Sequence, residues 1–177
     1  MINSVLIAGE IAAKNIDSLN KFGKANFAVG NGHVVALGEK STAKNEAFVY
    51  TVKKPADTNL ATDIFYMVNE PVNVLVNGKY SGLTDDPREF NIPAGKKFTM
   101  YKPMIGDEVV ITKDGIAGTK ENEGQINTYV VPSTETTKLT WAADGTGVSL
   151  AYKYVGDTYV SIGNERVLAY RFICVKA

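Results

Sequence analysis

The sequence holds one cysteine, one histidine and one tryptophan in 177 residues. Each shortage removes a class of function. A lone thiol, Cys174, excludes an internal disulfide and a cysteine-based zinc site. Its setting in Tyr170-Arg171-Phe172-Ile173-Cys174-Val175 reads as a small buried hydrophobe. A nucleophile-base arrangement would have to be built on His33, yet no Gly-x-Ser-x-Gly elbow is present. His33 follows the turn pair Asn31-Gly32 and leads into an apolar run, so a structural role beside a turn is expected. One imidazole and one thiolate are not a transition-metal cluster, and no metal is expected.

Long hydrophobic runs are also missing. The longest, at 34–37 and 64–68, fall far short of the roughly 20 residues that cross a bilayer as a helix, so no membrane partner is expected. The first ten residues have no basic segment and reach an acid at Glu10, a poor match to a secretion signal. A protein made and left in a cytoplasm is the expectation. Nineteen basic and nineteen acidic side chains cancel to zero net charge. That leaves no field able to hold a phosphate backbone, and nucleic acid is not an expected partner. It also leaves little self-repulsion, which suits close packing with other chains. Gly30-Asn31-Gly32-His33 lacks dinucleotide-binding spacing, and no cofactor is expected.

What the sequence does have is a series of short β-branched and aromatic runs. They lie at 33–37, 47–52, 64–68, 72–76, 98–102, 109–112, 128–131, 139–142, 148–155, 158–162 and 167–175. Many are bounded by dipeptides that accept positive φ: Asn31-Gly32, Asn77-Gly78, Asp114-Gly115, Asp144-Gly145, Gly156-Asp157 and Gly163-Asn164. Val148, Leu150, Tyr152 and Tyr154 alternate with Ser149, Ala151 and Lys153, the period of a half-buried strand. The final run is apolar on both faces and predicts a central strand. Helical signal is confined to 15–22 and 57–62, and neither stretch sustains three turns. The expected fold is all-β, an antiparallel β-sandwich or β-barrel with long polar loops. Residues 1–25 are expected as an N-terminal arm or short helix, and residues 26–177 as one β domain.

Two polar stretches, 78–91 and 113–125, break the strand rhythm. Long loops in small β domains often make contacts, so Asp85, Asp86, Arg88, Lys120, Glu121 and Glu123 are the candidate partner-contact residues. The adjacent acids Asp85-Asp86 and Asp107-Glu108 raise glycoside hydrolysis as an enzymatic alternative. Neighbouring acids on a strand or turn point apart, however, and no further motif singles one out. Most of the aromatics fall inside the apolar runs and read as core.

Two segments are more distinctive. One is Asn31-Gly32-His33-Val34-Val35-Ala36-Leu37-Gly38 with Glu46-Ala47-Phe48-Val49-Tyr50-Thr51-Val52. The other is Glu89-Phe90-Asn91-Ile92-Pro93-Ala94-Gly95-Lys96-Lys97-Phe98, continuing through Tyr101-Lys102-Pro103-Met104-Ile105-Gly106-Asp107 into 108–112. In this order they resemble the small structural proteins of tailed-bacteriophage head gene clusters that decorate or cement the capsid. The resemblance implies a non-enzymatic virion protein on the capsid surface, made in the host cytoplasm. It also implies the major capsid protein as partner and self-association as a homo-oligomer. The rival reading from another class is a carbohydrate-binding or host-attachment β module of a phage fibre or tail.

Overall fold

The computed structural model describes residues 4–72, 86–118 and 128–177. Twelve strands are present among them: β1 (Leu6–Ala8), β2 (Asn20–Lys24), β3 (Val34–Lys40), β4 (Val49–Lys53), β5 (Phe65–Val68) and β6 (Lys97–Tyr101), then β7 (Glu108–Thr112), β8 (Ile116–Ala117), β9 (Tyr129–Pro132), β10 (Leu139–Ala142), β11 (Ala151–Ile162) and β12 (Glu165–Lys176). The helical signals at 15–22 and 57–62 resolve into single 3-10 turns, Asp17–Leu19 and Asp57–Asn59.

Strands β2 to β6 close a barrel in the order β2-β4-β3-β5-β6, and the rest form a seven-stranded sheet ordered β1-β7-β12-β11-β9-β10-β8. The all-β expectation holds. Pairing is antiparallel except at two short seams, β2 with β4 and β8 with β10. The stretch 4–24, expected within an arm, supplies β1 to the sheet and β2 to the barrel.

Period-two alternation explains how the two bodies join. On β3, Val35 and Leu37 point into the barrel, whereas Val34 and Ala36 point outward. On β5, Tyr66 and Val68 point in, and Phe65 and Met67 point out. The outward set packs with Val109, Ile111, Val130, Leu139, Tyr152 and Phe172 from one face of the sheet, making a single core between barrel and sheet. β3 and β5 are thus buried on both faces, which is why 34–37 and 64–68 read as unbroken apolar runs. Trp141, Tyr154, Tyr170 and Phe172 pack as a mutual cluster on that face, with neighbouring ring centroids 5.3 to 6.3 Å apart.

The barrel is narrow enough to demand glycine. A Cβ at Gly23 would stand 2.6 Å from the Phe98 ring, and one at Gly38 would stand 2.7 Å from the Thr51 carbonyl oxygen. Gly38 lies where the β3–β4 register shifts, so the bulge and the missing side chain go together.

Two sequence expectations change. Gly156-Asp157 is not a turn: β11 runs unbroken from 151 to 162, with a bulge between Tyr154 and Gly156. A Cβ at Gly156 would lie 2.9 Å from Arg171 Nη2, so this glycine leaves room for a guanidinium and reverses nothing. The reversal comes at Gly163-Asn164, where Ile162 pairs with Glu165 and Gly163 has φ +56°. The polar loop 113–125 contains β8, which pairs beside β10. Of the expected strand 72–76, residues 73–76 lie outside the described residues, as does the Asn77-Gly78 turn.

Candidate functional site

The groups with chemical potential are dispersed. His33 is buried at the start of β3, with Nδ1 sharing a 2.8 Å hydrogen bond with Thr137 Oγ1. Its Nε2 is buried without a partner. Burial, with the Lys138 charge adding to it, lowers the imidazole to about 4. The contact with Thr137, together with the Val34 amide donating to the Thr137 carbonyl at 2.7 Å, fastens the start of β3 to the segment before β10. Cys174 is buried on β12, and burial pushes its thiol up to about 12.

The acid pairs do not come together either. Asp107 is buried and accepts hydrogen bonds from the backbone amides of Ala12 and Met104, both at 2.8 Å. Glu108, the next residue, is exposed on β7. Asp107 therefore staples the chain preceding β2 to the 103–107 turn. Among the described residues no group of three or more His, Cys, Asp or Glu could hold a metal ion. No helix among them is long and apolar enough to cross a membrane.

Of the candidate contact residues, Asp86 and Arg88 sit together on the 3-10 turn Pro87–Glu89. Asp86 accepts from the Arg88 backbone amide at 2.8 Å and grips its guanidinium at 2.6 to 3.0 Å. Those hydrogen bonds hold the Asp86 carboxyl below its ordinary value. Arg88 also reaches Glu165 at 2.7 Å, tying the turn to the tip of the β11–β12 hairpin. Both side chains are engaged within the chain. Asp85, Lys120, Glu121 and Glu123 lie outside the described residues.

Two surfaces escape the sequence reading. The first is the sheet face turned away from the barrel. Cross-strand partners share a face, so Ile7, Val110 and Arg171 form one row and Glu108, Ile173, Lys153, Tyr129 and Ala142 the next. Ile7, Val155, Val175 and Arg171 are exposed there. The second is a cleft of about 920 Å³ beside the barrel, walled by Phe27, Val52, Lys53 and Lys54 among others. Lys53-Lys54 is visible in sequence as a basic pair, but nothing local marks the opening beside it.

No protein family, no curated protein and no solved structure matches this chain.

Proposed function

We propose that the protein is a binding and assembly component of a phage particle, a decoration protein that docks on the outside of a capsid and stabilises it by noncovalent contact. The observation that carries this reading is the outward face of the seven-stranded sheet. It is broad, and it mixes Ile7, Val110, Ile173 and Tyr129 with Arg171 and Lys153. Aromatic and arginine side chains among apolar ones are the composition of interface centres. The face belongs to a body held by one shared core, so little ordering entropy is lost on docking. Repetition over a symmetric shell multiplies modest contacts into avidity. The resemblance of 31–112 to capsid decoration proteins and the zero net charge point the same way.

The glycan-binding alternative has less to stand on. Three rings are exposed among the described residues, Phe22, Phe48 and Tyr159; Phe48 lies under Lys40 and Tyr159 under Arg166, which leaves two of the three covered on one side.

Mass spectrometry and electron microscopy of purified virions test the proposal. The chain is expected on the outer surface of mature particles, and its absence from them refutes the reading. Arg171→Glu, which reverses the charge at the centre of the face, is expected to lower occupancy on purified shells about tenfold.

A further inference from the structure

The cleft beside the barrel has a specific origin. β2 and β4 form the barrel's parallel seam, and their pairing runs only from Phe22–Val49 to Lys24–Thr51. Beyond that point the strands part. Val52 and Lys53 still pair with β3, while the chain after β2 turns toward Gly95, whose amide donates to the Ala25 carbonyl at 2.7 Å. The opening is about 920 Å³. Ala25 and Val52 make an apolar floor, both buried, and Phe27 forms a flat wall.

Charge around the cleft is lopsided. The one lining carboxylate, Glu46, is already used: it accepts from Ser41 Oγ at 2.6 Å and Lys24 Nζ at 2.9 Å, with Lys97 Nζ at 3.8 Å. These hydrogen bonds hold it below the ordinary carboxylate value, so it stays ionised and compensated. Lys53 and Lys54 are exposed on the rim, and no carboxylate among the described residues pairs with either. Lys54 Nζ stands 5.4 Å over the Phe27 ring. The cleft thus offers an apolar floor, an aromatic wall and two cations that no carboxylate among the described residues neutralises.

We infer that this cleft receives an extended acidic polypeptide segment. Its carboxylates meet Lys53 and Lys54, and an apolar side chain rests against Phe27. In an extended segment successive side chains point to opposite sides, so acids that meet the rim lysines alternate with apolar groups that meet the floor. The inference rests on the binding role proposed above and names the chemistry of the partner: an acidic segment of the protein on which this chain docks.

The test uses the whole protein, labelled with ¹⁵N, and the acetylated, amidated peptide Glu-Asp-Val-Glu-Val-Asp at low ionic strength. Saturable amide shifts are expected at residues 24–27, 41–46 and 51–54. Affinity is expected to fall about tenfold or more in the double variant Lys53→Glu, Lys54→Glu, and to weaken as salt screens the pairs. Both lysines are exposed, and an unchanged thermal melt of the variant confirms that its fold is intact. Absence of shifts, binding unaffected by charge reversal, equal binding of a peptide with lysine in place of each acid, or the same shifts from sulfate alone would each overturn the inference. If the chain is present in virions but the peptide does not bind, the cleft inference fails alone. If it is absent from virions, the capsid reading fails whatever the peptide does.

Discussion

His33 is the only histidine, so between pH 7 and 5.5, above the carboxylate range, it is the side chain that dominates the proton balance of folding. In the folded protein its Nε2 has no acceptor and its ring is buried, which disfavours the imidazolium. The folded value of about 4 lies below the ordinary 6.5. Stability from this group is therefore fully present above 6.5. It is lost as pH falls toward 4, because the unfolded chain takes up a proton that the folded chain refuses. With those two values the loss relative to pH 7 comes to about 1 kcal/mol at pH 5.5 and about 2 kcal/mol at pH 4.5. The difference between wild type and His33→Gln in urea denaturation at the three pH values measures it, since carboxylates such as Glu46 and Asp86 titrate in both, and the variant's stability should be nearly flat down to pH 5.5. An NMR titration of the imidazole protons gives the folded value directly. A value at or above 6, or a wild-type stability that does not fall between pH 7 and 5.5, would refute the reasoning.

Three further outcomes follow from packing. Gly23→Ala places a methyl group against the Phe98 ring and the Met100 sulfur inside the barrel, and overpacking of this kind costs about 1–3 kcal/mol, read as a lower urea midpoint with unchanged slope. Tyr152→Phe removes a fully buried hydroxyl whose polar neighbour is the Tyr101 hydroxyl, itself engaged with Met67 Sδ at 3.1 Å; thermal stability should change by less than about 1 kcal/mol. Met67→Ala hollows the core shared by barrel and sheet and should lose about 2–5 kcal/mol. Because the core is shared, Trp141 fluorescence from the sheet and amide signals from the barrel should still report one coincident transition, and two separate midpoints would contradict the common core.

The strands were legible because burial writes a period into the chain. The runs at 33–37 and 64–68 became β3 and β5 with little change, since two-sided burial leaves an uninterrupted apolar stretch. The division of strands between a barrel and a sheet was not legible. Whether Val34 faces the barrel interior or the sheet depends on closure by residues far along the chain, and both destinations select the same side chains. Gly156-Asp157 misled for a related reason. Glycine marks a tight reversal and a close approach equally well, and only the position of Arg171 tells which.

The candidate surfaces were hidden more thoroughly than the fold. Ile7, Val110 and Arg171 form a row only because β1 pairs with β7 and β7 with β12. Loop residues looked like contact sites because charge at a turn is conspicuous in sequence, yet Asp86 and Arg88 spend their charge on one another and on Glu165. That ion-pair bridge, the His33–Thr137 contact and the Asp107 staple share a consequence: each polar group ties together segments distant in the chain. Polar groups committed in this way add rigidity, and a rigid body loses little ordering entropy on docking. For the proposed docking role, the exposed residues that no ion pair among the described residues claims include Lys53, Lys54 and the apolar members of the outward sheet face.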